Sequence, residues 1–481
     1  MVDDKDQELV DDNDDDPFTT YPKGHHRVDT TGDVELTRRS SSGRHSEREE
    51  DDQFYDEHDE NDMDKSEHHT IGSARTPWYL TAIVLLSEVM GTGILSLPYA
   101  AKTLGWVCVI VSVPLFAAFS AYSGYLLASV HQKHPNLHSF AEAASSLLGE
   151  RFGTITKISM LLNWGATAIY YLIATADAVH DIVGLQCDYQ RALIASLLLI
   201  LPCQCRDFHA ISKYLSGPST CAIIVMVFII IGNLLSSADG TFGDTTTLWP
   251  PPGTTPLQFL EALSAFVFAY QGHAIFLELM AEMKQASDFP YSCTSAYMLM
   301  CVMYGLTVIA AYGLRGASTE EFLPDILPAG TARKVVGSLV CLHICVSYVI
   351  AGQPLHMWLH ATVFPKTYQT SGRQGTLHWL IVTCGFLVFG FVVGNLIPFF
   401  ADVQALIGSL FGAPTVFGWP VAFYWAVHRR EGASIGLNHS TVIGGLFLLV
   451  FTPLFCILGT SGAIASIVRD AEHAATPFEC D

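Results

Sequence analysis

Beyond Arg75 the sequence divides into apolar runs of ~20 residues, the length an α-helix needs to cross the ~30 Å hydrocarbon layer of a bilayer. Eleven such runs are read, with cores at 79–101, 105–129, 154–181, 190–204, 213–236, 257–283, 292–315, 333–361, 376–400, 402–427 and 439–467. Only helices and closed barrels satisfy their backbone in lipid, and runs this continuous lack the alternation of barrel strands. The expected fold is therefore an all-α integral membrane protein with about eleven spans. Charge points the same way: 24 acidic and 9 basic residues crowd into positions 1–75, leaving 38 charges for the next 406. Soluble domains carry ~25% charged residues, so a water-exposed enzyme, a secreted domain and a nucleic-acid binder are all excluded. The lipid bilayer is the first partner this composition implies.

The acidic segment 1–75 holds too little apolar surface to offset the entropy of folding, and the sequence predicts a disordered cytoplasmic tail, with cytoplasmic regulators as its candidate partners. No basic stretch leads into an early apolar run, so no cleavable signal is expected. With that tail inside, the inner loops collect Lys133, Arg151, Lys157, Arg206, Lys213, Lys284, Lys366, Arg373, Arg429 and Arg430, against Lys102, Arg191, Arg315, Arg333, Lys334 and Arg469 outside. The membrane-spanning region is placed at 76–470 and a short non-cytoplasmic tail at 471–481. Cys187 and Cys480 are the two external cysteines and could pair. Most others lie inside apolar spans as small hydrophobes. The sequon Asn438-His439-Ser440 falls on the inner side in this topology and is expected to stay unmodified.

Two apolar spans are interrupted by glycine at corresponding positions. The first contains Gly91-Thr92-Gly93 and the sixth Tyr270-Gln271-Gly272-His273, five spans apart, as inverted repeats of five helices would place them. Broken helices at the bilayer midplane are where many transporters bind substrate. Amides freed at Gly91, Thr92 and Gly93 suit a carboxylate, and carbonyls freed near Tyr270, Gln271 and Gly272 suit an ammonium. Packing glycines would leave the same pattern, because glycine is frequent in membrane helices. Glu88, three residues before the first break, is costly in a span and points to a proton site or a buried pair. His273 titrates near neutrality and is a second candidate for proton coupling. Glu278 and Glu282, one turn apart toward the inner end, disfavour each other as like charges or form a wet interfacial face. No metal-ligand pattern stands out, since His343, His356 and His360 lack carboxylate companions and Cys203-Gln204-Cys205 lacks partners.

Gly91-Thr92-Gly93-Ile94-Leu95-Ser96-Leu97-Pro98-Tyr99-Ala100, followed by Leu104-Gly105-Trp106, resembles the first-span signature of the amino acid/auxin permeases. Looser likenesses continue in Pro202 to Leu215, in Glu282-Met283-Lys284 with Asp288-Phe289-Pro290, and in Ile397-Pro398-Phe399-Phe400 leading into Gly408-Ser409-Leu410-Phe411-Gly412. The resemblance covers residues 76–481 and extends to fungal-type and vacuolar members. It implies a LeuT-like fold of five plus five inverted-repeat helices with one extra helix, and secondary active transport of amino acids by alternating access. Sodium-coupled relatives carry an asparagine at the position of Ser87, so the resemblance favours a proton as coupling ion, with no cofactor. It also makes Ser347, Lys213, Glu278 and Glu282 candidates for an ion site or gate. A sensor that binds amino acid with little flux and a sodium-coupled or exchange carrier are the alternatives. Plasma membrane and vacuolar or lysosomal membrane both remain open.

Overall fold

The computed structural model describes residues 76–206, 208–237, 242–368, 372–397, 399–430, 439–472, 478 and 480. The acidic tail and Asn438 of the sequon lie outside them. Within the described residues the chain is helical with no strands, and nine helices are long and apolar enough to cross a membrane. Their outward residues include many apolar ones, among them Ile110, Leu162, Phe228, Met298 and Val388, each more than half exposed. A surface of this kind suits lipid and not water. The chain is an all-α, multi-pass membrane protein.

The helices in chain order are α1 (Trp78–Val89), α2 (Leu97–Lys133), α3 (Phe140–Leu148), α4 (Glu150–Val183), α5 (Asp188–Ile200), α6 (Phe208–Ser236), α7 (Pro256–Ala269), α8 (Phe276–Glu282), α9 (Phe289–Arg315), α10 (Thr331–Val363), α11 (Arg373–Leu396), α12 (Phe400–Ile407), α13 (Trp419–Arg430), α14 (His439–Leu446), α15 (Thr452–Leu454) and α16 (Thr460–Ala471). Wide turns of π geometry at 408–412 and 414–418 carry α12 into α13 as one run. Two expected spans are short: α1 has 12 residues because the chain breaks after it, and α5 has 13. The run α2 joins the end of the first expected span to the second, with a non-helical joint at Gly105. The small amphipathic helix α3, which the apolar runs did not announce, starts where Ser139 accepts the amide of Glu142. At α7, Thr255 and Gln258 cap each other and Pro256 opens the first turn, fixing where the second broken span begins.

Cross-chain contacts sort the connecting segments into two ends. At one, Lys102 Nζ donates to Thr319 O at 3.0 Å, Arg333 pairs with Asp181 and Asp325, Trp106 N donates to Thr247 O, and Cys187 and Cys480 are joined by a disulfide. At the other, Arg206 donates to Gly375 O and Arg430 to Ser146 O, while Thr76 N donates to Glu282 O and Lys284 N to Thr76 O, both at 2.9 Å. Residues assigned to one side by the distribution of Lys and Arg thus meet residues assigned to the same side.

Candidate functional site

The first break opens where α1 ends: Gly91 leaves helical geometry (φ −1°, ψ −145°), Thr92–Leu95 form a short 3₁₀ turn, and α2 begins at Leu97. The second follows Ala269, with Tyr270 and Gly272 (φ −177°, ψ 3°) outside helical values, a 3₁₀ turn at His273–Ile275, and α8 from Phe276. The two breaks lie against each other. A Cβ at Gly93 would sit 2.6 Å from the Cα of Ala269, and one at Gly272 would sit 2.3 Å from Cγ2 of Val89. Each break therefore uses a glycine to admit the other, so close packing and chain interruption are the same feature here.

Between them is a cavity of about 540 Å³, its open mouth included. Glu88, Gly91, Thr92 and Gly93 line it from the first break, and Gln271, Gly272 and His273 from the second. Helix α4 contributes Asn163, Trp164, Thr167 and Tyr171, and the α12–α13 run contributes Thr415. Glu88 Oε2, Thr92 Oγ1, Asn163 Oδ1, Thr167 Oγ1, Gln271 Oε1 and His273 Nδ1 are buried there without a hydrogen-bond partner among the described residues. Buried polar atoms are nearly always partnered, because leaving one unmet costs about 1–3 kcal/mol. Six such atoms around one space leave its lining with unmet hydrogen-bonding capacity. His273 Nε2 lies 2.9 Å from Ser120 O. A ring that donates Nε2–H to that carbonyl presents Nδ1 as an acceptor toward the cavity.

Two carbonyls at the second break accept from side chains of a neighbouring helix. Tyr297 and Tyr304, both on α9, donate to Tyr270 O at 3.0 Å and to Ala269 O at 2.8 Å. Tyr304 also reaches Val89 O at 3.3 Å, so one hydroxyl touches both breaks. Tyr270 itself is buried and does not line the cavity; its ring packs 4.9 Å from that of Tyr304. Its neighbour Gln271 supplies the polar side chain instead. Of the two α4 tyrosines, Tyr171 walls the cavity, whereas Tyr170 turns to Gln404 Oε1 at 2.8 Å.

The remaining candidates lie elsewhere. Ser347 is fully buried, with its hydroxyl 3.5 Å from Nε2 of His343, whose Nδ1 is 2.8 Å from Ser219 Oγ. This group sits behind the first break and outside the cavity. The side chain of Lys213 is not among those described. Glu278 lines a second, smaller cavity of about 290 Å³ with Lys157, Met160 and Ser139, and Trp164 and Ala274 form the wall shared with the first. Glu282 contributes its carbonyl to the contact with Thr76. The cavity residues that sequence reasoning missed are Asn163, Trp164, Thr167 and Thr415. Asn163, Thr167 and Tyr171 recur every fourth residue, a polar face on an apolar helix that spacing alone could have shown.

Residues 74–465 match the family model described as Transmembrane amino acid transporter protein. The chain is 25% identical to Amino acid transporter AVT1C of Arabidopsis thaliana, over 83% of this chain and 72% of that one. It is 25% identical to the N amino acid transport system protein of Neurospora crassa, over 87% and 92%. It is also 25% identical to the Vesicular inhibitory amino acid transporter of Homo sapiens, over 72% and 68%. The family match spans both broken helices and the cavity between them, and the chain belongs to the amino acid/auxin permease family of transmembrane amino acid transporters.

Proposed function

We propose that this protein is a secondary active transporter, not an enzyme, that carries amino acids by alternating access and couples their movement to protons, with no cofactor. The observation that carries the reading is the set of six unpartnered polar atoms where two broken helices cross. A zwitterion needs donors for its carboxylate and acceptors for its ammonium. Amides of the Gly91–Gly93 break provide the first, and Asn163 Oδ1, Gln271 Oε1 and His273 Nδ1 the second. Trp164, Tyr171 and Phe268 give the substrate side chain an aromatic wall, and neither Lys nor Arg lines the cavity. The relatives named for amino acid transport support the substrate class.

Glu88 is the coupling residue in this reading. Its Oε2 is buried without a donor beside the first break, so a proton there removes the cost of a bare charge, and losing that proton changes what the break can hold. His273, held by Ser120, serves as acceptor. Trp164 and Ala274 separate the main cavity from the one beside Glu278, which makes them the inner barrier that alternating access would open. The N-terminus is cytoplasmic, as the Lys and Arg distribution favours, and the disulfide then lies on the oxidising side.

The test is uptake of labelled amino acids into proteoliposomes under an imposed pH gradient, with and without sodium, for wild type and Glu88→Gln. Proton-driven, sodium-independent accumulation that falls more than tenfold in Glu88→Gln is expected. Accumulation driven by sodium alone would overturn the proton reading. Binding with no flux under any gradient would overturn the carrier reading in favour of a sensor.

A further inference from the structure

At the end of the bundle that carries the disulfide, His180 and Asp181 close α4, and Asp325 stands in the 3₁₀ turn Leu323–Ile326 that precedes α10. We propose that these three residues form a binding site for a divalent transition-metal ion of the zinc type. One donor atom from each lies within 4.8 Å of the others. Bonds of ~2.0–2.2 Å to imidazole and carboxylate imply donor separations of ~3.4 Å in a tetrahedral site, so the three close by about an ångström around the ion. Water takes the fourth position.

Two observations separate this cluster from an ordinary group of surface charges. Asp181 is 5% exposed, and although one oxygen accepts from Arg333 Nε at 2.5 Å, Oδ2 is buried with no donor among the described residues. Arg333 is shared, because its guanidinium also pairs with Asp325. One positive charge facing two carboxylates leaves the group short of a cation. Secondly, the imidazole has a backbone partner: His180 Nδ1 lies 2.8 Å from Leu185 O. A ring that donates Nδ1–H to that carbonyl presents Nε2 as a lone pair, the outer-sphere arrangement common to metal-bound histidines. The imidazole donor selects a transition metal over calcium or magnesium, which prefer oxygen throughout.

An ion here would do mechanical work. The segment 316–330 spans several helices: Lys102 of α2 donates to Thr319 O, Arg315 of α9 to Ile326 O, and the amide of Ala401 in α12 to Glu321 Oε2. Tying Asp325 to the end of α4 adds that helix through a metal bond and fixes the segment across this end of the bundle. Asp325 is 144 positions from Asp181, so no local spacing could display the ligand set.

The experiment is a zinc titration of the purified full-length chain in detergent against a chromophoric chelator, after alkylation of accessible thiols. Wild type, His180→Gln and Asp325→Asn are compared, with size-exclusion profiles to show that each is folded. One saturable site per chain is expected, at least about tenfold weaker in His180→Gln and Asp325→Asn, and not displaced by millimolar calcium. No saturable zinc in wild type, unchanged affinity in His180→Gln, or displacement by calcium would each overturn the proposal and leave an ion-pair network only. The readout is binding, so it stands or falls independently of whether the protein transports amino acids.

Discussion

The two helix breaks contain similar residues but are held differently. In the second, the carbonyls of Ala269 and Tyr270 are taken by α9 tyrosines at 2.8 and 3.0 Å. In the first, the contacts are longer: Tyr304 reaches Val89 O at 3.3 Å and Tyr170 reaches Thr92 O at 3.5 Å, the limit of a hydrogen bond. The second break is clamped to a long neighbouring helix, and the first is only loosely restrained. Under the proposed function the clamped break would be a fixed wall, and the loose one, beside which Glu88 Oε2 and Thr92 Oγ1 have no partner among the described residues, would be the half that responds to ligand and proton.

The glycines give the sharpest way to break this comparison. Gly93→Ala would drive a Cβ to within 2.6 Å of the Ala269 backbone, which cannot move aside without shifting the second break. Overpacking of this kind costs about 1–3 kcal/mol or more, and a fall in uptake of more than tenfold is expected, with no rescue from Ala269→Gly. Gly272→Ala meets only the Cγ2 methyl of Val89 at 2.3 Å. Uptake by Gly272→Ala should also fall, but Val89→Ala in the same chain should restore most of it. Equal rescue of both glycine variants would show that neither break is the rigid one.

Next in size is Tyr304→Phe. Its hydroxyl donates to Ala269 O and approaches Val89 O, so its loss leaves the end of each half-helix short of a donor. A destabilisation of about 1–3 kcal/mol is expected, seen as a lower thermal transition of the purified protein. Tyr297→Phe removes one carbonyl partner and should cost less. A larger loss from Tyr297→Phe would mean that Tyr304 is not the shared clamp.

How much of this was readable before the structure depends on which residues are asked about. The membrane-spanning fold was legible because lipid forces most spans to be long and all to be apolar, a constraint visible along the chain from Tyr79 to Ile467. The positions of the breaks were legible because Gly91, Gly93 and Gly272 interrupt those runs. The side chains around the cavity were half legible. Glu88, Gln271 and His273 neighbour the breaks, while Thr415 arrives from a helix far along the chain and Tyr270, at the break itself, turns toward α9. Which way a residue points at a break is set by local backbone angles and by the partner helix, and neither is encoded in hydropathy. The tyrosine clamp was invisible for the same reason, since nothing local marks Tyr304 as the residue that reaches both breaks.

The smallest expected effect tests the loose side directly. Tyr170→Phe removes the 3.5 Å contact with Thr92 O and the 2.8 Å bond to Gln404 Oε1. Gln404 would remain partnered, because Ser96 Oγ donates to the same oxygen at 2.6 Å. The ring's packing against Phe400, 4.8 Å between centroids, is kept by phenylalanine. No buried acceptor is then stranded apart from a carbonyl that was barely engaged, and the cost should stay below about 1 kcal/mol. A thermal transition lowered as far as in Tyr304→Phe would mean that the first break is held as firmly as the second. The division into a fixed wall and a responsive half would then have to be given up.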